Sequence, residues 1–444
     1  MSQNRRLSQS FTQTHTDSFS SSIASVIAPI ESDIWVENWK AFFARDIIDS
    51  RIVTVKAELS VEDACDKLLS EDIPCLAVLG NPESQGLKGL FDFSDVNAFL
   101  TLAATKHTFT PEDLRDKPRV QDIFLAAKAG HVPVHLVSNL SEKNPLEILP
   151  YDASIVSLLE PFARGVHRVL IRSSVPSQDF VGIVSDRRLL SWFESYAAEN
   201  SSMKRFLSDP IRSFSFPSFN LYTAVVAATS KASVLEAMQL MSEEGVSSIA
   251  VLDDETGALL SAVSVTDIGK LVVPSSSNQI LNIPLHQFIS YIKAPEGSTD
   301  GAERFPVYSV SSNGTLFYTM QKLLATNAHR VFIANETPES SPIIASRCAG
   351  NLSGIVSIVD ILSLFARLAH VQDVDPTRMR RHRRASSVSS QGSRSDRAEF
   401  NRSRSSSRTG IGRTSSISRS KVHNPRNSLS SSVESILGTE SIKK

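Results

Sequence analysis

The chain has 444 residues, 41% of them hydrophobic and 21% charged, which is ordinary for a soluble protein. Three cysteines without paired or CxxC spacing (Cys65, Cys75 and Cys348) argue against a disulfide framework and place the chain in a reducing compartment, cytoplasm and nucleus. No apolar run approaches 18 residues, which excludes a membrane-spanning helix, and the net charge of −1 hides a basic tail of +10 at residues 371–444 on an acidic body.

Residues 1–32 are rich in Ser, Thr and Gln and too poor in large apolar groups to offset ordering entropy, so a disordered head is expected. The first six residues, Met-Ser-Gln-Asn-Arg-Arg, lead into no apolar stretch, so no signal peptide is expected. Asp33 then reads as the N-cap of a short helix carrying Ile34, Trp35, Trp39, Phe42 and Phe43.

From there to about residue 370 one pattern recurs: β-branched strand, helix of period three to four, second strand, polar turn, third strand and a helix opening on an acidic or polar residue. In the first copy Ser60 caps Val61, Ala64, Cys65, Leu68 and Leu69, ahead of the strand Leu76–Leu79. In the third, Ser233 and Glu236 form a capping box ahead of Leu235, Met238 and Met241; the strand 248–252 and a turn at 253–257 follow. In the fourth, Thr315 precedes Leu316, Phe317, Met320 and Leu323, ahead of the strand 331–334.

The third strand and its helix align best. They read Gly89-Leu-Phe-Asp92-Phe-Ser-Asp95, Gly182-Ile-Val-Ser185-Asp-Arg-Arg188, Ser261-Ala-Val-Ser264-Val-Thr-Asp267 and Gly354-Ile-Val-Ser357-Ile-Val-Asp360. Positions 95 to 188 and 267 to 360 are each 93 residues apart, and 188 to 267 are 79 apart, so the chain reads as a duplicated two-repeat unit. A repeat this small cannot bury its own sheet well and is expected to pack against its pair-mate. The expected division is a head at 1–32, repeats at 33–110, 111–200 (with its linker), 201–275 and 276–370, and a disordered Ser/Arg tail at 371–444.

This unit resembles the CBS domain, the βαββα module named after cystathionine β-synthase, whose fingerprint is Gly-h-h-[Ser/Thr]-x-x-Asp-h. The third and fourth repeats match it; the first has Asp92 at the Ser/Thr position and the second Arg188 at the acidic one. The resemblance implies an α/β (α+β type) fold of four βαββα repeats paired into two modules. The plan of Ser-rich head, Asp33-Ile-Trp-Val-Glu-Asn-Trp39, four repeats and Ser/Arg tail is similar to a fungal family of four-CBS regulators. That family is linked to inhibition of type 2A protein phosphatase, cell-cycle progression, cell separation and nutrient stress.

In CBS proteins that bind adenine nucleotides the fingerprint Asp accepts both ribose hydroxyls, which suits an acceptor-only carboxylate. The resemblance therefore points to Asp360 with Ser357, Asp267 with Ser264, and more weakly Asp95, for ribose. The pairs His167-Arg168 and His329-Arg330, which resemble the phosphate-binding pair of the AMP-activated kinase γ subunit, would serve phosphate. The competing reading is that each Asp simply caps its helix, worth about 1 kcal/mol. Arg188 can play neither role. AMP, ADP or ATP is then a ligand and no cofactor is required.

No GxGxxG, GxxxxGK[ST], HExxH or GxSxG occurs, so no enzyme is expected, and no histidine stands at metal spacing from Cys, Asp or Glu. His131-Val-Pro-Val-His135 reads as a strand edge. In the tails, Ser8 and Ser386 follow Arg-Arg-x, a spacing that suits a basophilic kinase; phosphates there would offset the tail's charge. With one aromatic, Phe400, the tail is poorly suited to nucleic acid, which ranks below a protein partner. The leading expectation is a non-catalytic scaffold for a type 2A-like phosphatase; the alternative is a nucleotide-sensing subunit of a kinase-type complex.

Overall fold

The computed structural model describes residues 29–80, 86–175, 179–219, 225–271, 278–292, 309–334 and 352–377. The chain enters through α1 (Pro29–Lys40). This helix starts four residues before Asp33, the expected cap, because proline suits a first helical turn and Glu31 adds a favourable acid there. Asp33 therefore lies inside the helix, 3.5 Å from His370 Nε2, and the expected head boundary at residue 32 falls within α1. Phe42 and Phe43 lie beyond its end.

The first sheet holds β1 (Thr54–Val55), β2 (Leu76–Leu79) and β3 (Leu87–Phe91), with α2 (Val61–Ser70) joining β1 to β2 and α3 (Phe93–Ala104) leaving β3. A linker follows with α4 (Pro111–Arg115), α5 (Pro118–Lys128) and the single turn α6 (Val134–Val137). The second sheet holds β4 (Glu147–Leu149), β5 (Arg168–Arg172) and β6 (Phe180–Ser185), with α7 (Ile155–Ala163) and α8 (Asp186–Glu199); α9 (Ser201–Leu207) leads on. The third holds β7 (Ala227–Thr229), β8 (Ser248–Leu252) and β9 (Leu259–Ser264), with α10 (Val234–Glu244) and α11 (Val265–Leu271). After α12 (Leu285–Ile292) the fourth holds β10 (Ser309–Ser311), β11 (Arg330–Ala334) and β12 (Leu352–Ser357), with α13 (Leu316–Ala325) and α14 (Ile358–Leu368).

All four sheets have one topology: the first two strands are parallel, joined by a helical crossover, and the last two antiparallel. The caps follow the sequence. Ser60 accepts from the Asp63 N–H, Thr315 from the Tyr318 N–H, and Ser233 with Glu236 forms a capping box. His131-Val-Pro-Val-His135 is only partly a strand edge: Pro133 makes one antiparallel bridge to Ser60, then opens α6, so His135 sits on a helical turn.

Lead-in segments are exchanged within each pair. Phe43 and Pro133, ahead of the first and second repeats, bridge Ser154 and Ser60 of the other repeat; Pro210 and Pro284 do the same to Thr315 and Ser233. Small apolar cores join the paired sheets: Cys75, Ala77, Leu90, Leu170 and Ile183 in the first module, Ala250, Phe332, Leu352 and Ile355 in the second. Burial raises the thiol pKa of Cys65 and Cys75, so neither is a reactive thiolate.

The larger cores lie elsewhere than pair-mate packing predicts. One joins helices of the first and third repeats, the other those of the second and fourth, so the modules meet along two helical seams. In the first–third seam Gly269 on α11 lies against α3 so closely that a Cβ would fall 2.2 Å from the Phe93 ring. The second–fourth seam is aromatic. Trp39 from α1 packs edge-on against Phe193 of α8 and Phe365 of α14, with centroids 4.9 and 6.0 Å away. Trp35 donates Nε1–H to Ser202 Oγ at 2.7 Å. Both indoles are fully buried. Trp39→Ala should therefore destabilise the chain by about 3–5 kcal/mol, read as a lower urea midpoint at unchanged slope.

Candidate functional site

In every repeat the third strand ends at the N-terminus of the last helix, and the fingerprint residues stand there. In the third repeat Asp267 Oδ2 accepts from the Ser264 N–H (2.9 Å) and hydroxyl (2.7 Å), while Ser264 Oγ accepts from the Asp267 N–H (3.2 Å). In the fourth, Asp360 and Ser357 repeat this at 2.8, 2.6 and 3.2 Å. Each carboxylate thus caps its helix through Oδ2 alone, and capping does not consume the whole group. Asp360 is buried, which raises its pKa; the Ser357 bonds, Ser218 and Arg330 work against that.

In the first repeat the arrangement differs. Asp92, at the Ser/Thr position, caps α3 by accepting from the Ser94 N–H at 2.8 Å. Asp95 is fully buried: Oδ1 accepts from the Ser141 N–H (2.9 Å) and hydroxyl (2.7 Å), Oδ2 from Asn144 Nδ2 (3.2 Å) and the Asp92 N–H (3.3 Å). Burial, with the adjacent Asp92 carboxylate, pushes its pKa up to about 7, against the Ser141 and Asn144 bonds. Arg168 reaches in from the second repeat, donating to Asp92 Oδ2 at 2.8 Å, Asn144 Oδ1 at 3.2 Å and the Pro74 carbonyl at 3.1 Å. Linker residues 139–144 therefore run between the candidate ribose carboxylate and the candidate phosphate arginine and hydrogen-bond to both. Asn139 (φ 54°) and Glu142 (φ 59°) take left-handed conformations to make that turn.

In the second repeat Ser185, the cap of α8, donates its N–H and hydroxyl to Asp49 of the lead-in, and Arg188 is exposed. The two His-Arg pairs diverge. Each arginine crosses to its pair-mate, Arg168 as above and Arg330 to Ser247 Oγ at 3.2 Å. Each histidine turns to the second–fourth seam, where the rings stand 5.2 Å apart. Between them sits Asp186, the first residue of α8 and an unspecified position in the fingerprint. Its Oδ2 accepts from His167 Nδ1 at 2.7 Å and lies 3.8 Å from His329 Nδ1. Arg187 crosses the seam to the Asn327 side chain and to its carbonyl at 2.7 Å.

Burial would raise the Asp186 pKa, but the charge and hydrogen bond of His167, with His329 and Arg168, outweigh it and hold the carboxyl at about 2. Enclosure of its Nδ1 likewise depresses His329, to about 3; Asp186 favours its charged form, while His167, Arg187 and Arg168 oppose it. Sequence spacing showed no histidine cluster, yet the fold gathers His167, Asp186 and His329 within 4.8 Å of one another. Ser141 and Asn144 carried no signal in the sequence, because residues 138–144 are polar throughout except for Leu140. Ser8 and Ser386 lie outside the described residues.

Residues 44–101 and 222–273, over the first and third sheets, match the CBS domain family model. These two segments of the chain are CBS domains. Among its relatives are proteins named Sds23 from Neosartorya fischeri, 32% identical over 288 residues (65% of this chain, 52% of that protein), and Yarrowia lipolytica, 31% identical over 286 residues (64% and 55%). The chain spans about half the length of the curated relatives it matches. A solved structure from Methanocaldococcus jannaschii, proposed to be an archaeal homologue of g-AMPK, is similar over 73% of this chain and all of its own, at 15% identity and a TM-score of 0.49.

The site makes a pH prediction. A histidine with a depressed folded pKa stays neutral while the unfolded chain takes up a proton, so its contribution is lost as pH falls from about 6.5 toward 3. Asp186, depressed from 3.8 to about 2, adds a loss as pH falls between those values; Asp95, raised, acts in the opposite direction between 3.8 and about 7. His329→Gln should flatten the stability profile between pH 6.5 and 4 relative to the parent. Urea titrations of both proteins across that range isolate the His329 contribution, because the Asp95 effect is common to both.

Proposed function

We propose that this chain is a non-catalytic regulatory protein, a four-CBS scaffold that inhibits or positions a type 2A-like protein phosphatase in cell-cycle, cell-separation and nutrient-stress control. The observation that carries the scaffold reading is the closed polar cluster of the first module. Asp95 and Arg168, the pair a nucleotide would bridge there, are bridged by Ser141 and Asn144 instead. A nucleotide would have to displace four hydrogen bonds to Asp95 and Arg168, each contributing roughly 0.5–3 kcal/mol. Similarity to the fungal Sds23 proteins supports the same reading; the phosphatase itself rests on the resemblance of the overall plan. The scaffold acts in cytoplasm and nucleus, and its tails, through Ser8 and Ser386, are the substrate of a basophilic kinase.

A second reading, an adenine-nucleotide-sensing subunit of a kinase-type complex, is favoured by the second module. There Ser264-x-x-Asp267 and Ser357-x-x-Asp360 are both intact and Arg330 lies beside Asp360. The two readings combine if nucleotide enters the second module only and adjusts the scaffold.

Two measurements on the full chain test this. Against a type 2A catalytic subunit, inhibition is expected with no nucleotide added; absence of inhibition sinks the phosphatase assignment, and inhibition that requires nucleotide favours the sensor. In calorimetric titration with AMP and ATP, Asp360→Ala should weaken binding at least tenfold and Asp95→Asn leave it unchanged. Loss of binding in Asp95→Asn would place the ligand in the first module and overturn the closed-cluster argument. Turnover of either nucleotide would refute a non-catalytic role.

A further inference from the structure

We propose that His167, Asp186 and His329 form a binding site for a divalent transition ion of the zinc class, placed so that the bound ion pins one module to the other. The three ligand atoms come from two repeats: His167 and Asp186 from the second, His329 from the fourth. Oδ2 of Asp186 lies 2.7 Å from His167 Nδ1 and 3.8 Å from His329 Nδ1. Tetrahedral zinc with bonds of about 2.0–2.2 Å needs ligand atoms roughly 3.3 Å apart, so both of these separations are within about 0.6 Å of what the ion requires.

A second observation points the same way. His329 Nδ1 is buried, turned toward Asp186, and has no hydrogen-bond partner among the described residues. An orphaned buried ring nitrogen costs about 1–3 kcal/mol unless a hydrogen-bond partner or a cation engages it. An ion at this point would satisfy that nitrogen and replace the proton now shared between His167 and Asp186.

The ligands are held firmly, as a metal site requires. The His167 carbonyl accepts the Asp186 N–H at 3.1 Å and the His329 carbonyl accepts the Ile358 N–H at 3.0 Å, so each histidine is fastened to the start of the helix beside it. Asp186 Oδ1 accepts the Arg187 N–H at 2.7 Å, which leaves Oδ2 for the ion. Of the cations nearby, Arg168 is paired with Asp92 and the Arg187 guanidinium is drawn across to Asn327. The His329 side chain keeps 40% of its surface exposed, giving an approach from solvent and room for water to complete the coordination. Two imidazoles and one carboxylate suit zinc or cobalt(II), and suit magnesium or calcium poorly.

The test uses the full chain, freed of metal with EDTA, and Zn(II) or Co(II) alone as probe. One Zn(II) should bind per chain by calorimetry and raise Tm, and Co(II) should develop visible d–d absorption. His329→Gln and Asp186→Asn should each weaken binding at least tenfold and remove most of the Tm gain. His131→Ala, which alters a surface ring bonded to the Glu58 carbonyl, should leave both intact. Far-UV circular dichroism and the metal-free Tm show that each variant is folded. Parent-like Zn(II) binding in folded His329→Gln, loss of binding in His131→Ala, or no one-to-one binding by the folded parent would overturn the assignment. The outcome does not depend on whether the chain inhibits a phosphatase.

Discussion

A three-stranded sheet with its helices on one side leaves its other face uncovered, and every larger feature of this protein follows from that. The uncovered faces are narrow, so sheets close on each other in pairs through a handful of residues: Cys75, Ala77, Leu90, Leu170 and Ile183 in one module. The helical sides are wider and carry most of the apolar surface, and they meet across modules instead. Because area removed from water sets the scale of hydrophobic stabilisation, the cross-module seams hold the protein together more strongly than the pairing that defines a module. The lead-in exchange, with Phe43 on Ser154 and Pro133 on Ser60, ties each pair through backbone without adding much apolar area.

Local features were legible in the sequence because local physics produces them. Ser60, Ser233 with Glu236, and Thr315 cap where their spacing says they should, and the strands 76–79 and 248–252 fall where short apolar runs lie. The start of α1 was misread because Asp33 is a good cap by type, while Pro29 and Glu31 make an equally good first turn earlier. The pairing of repeats within a module was legible in their spacing, but which helices meet across modules was not. An amphipathic helix reports that it has an apolar face and says nothing about its partner, so α3 against α10 and α11 looks, residue by residue, like any other packing.

The candidate site divides along the same line. The caps at Asp267 and Asp360 depend on neighbours three residues away and could be read. The bridging of Asp95 by Ser141 and Asn144, and the meeting of His167, Asp186 and His329, depend on long-range folding and could not. Asp186 shows the difficulty best: the fingerprint treats its position as free, yet it is a buried ionised carboxylate between two imidazoles. Buried charge is kept only where it is paired, so each such group in this chain marks a place where distant segments must come together correctly.

The two seams are not mechanically alike. On one side Trp39, Phe193 and Phe365 interlock over a broad aromatic area. On the other, α11 slides in close to α3 only because residue 269 is glycine, with the Phe93 ring filling the space a methyl group would need. A contact that depends on the absence of one carbon atom has almost no tolerance for rotation, whereas rings packed edge to face tolerate small tilts. The assembly is thus a clasp whose aromatic edge behaves as the hinge and whose glycine edge behaves as the catch, and relative motion of the modules would register first as a change of fit at Gly269.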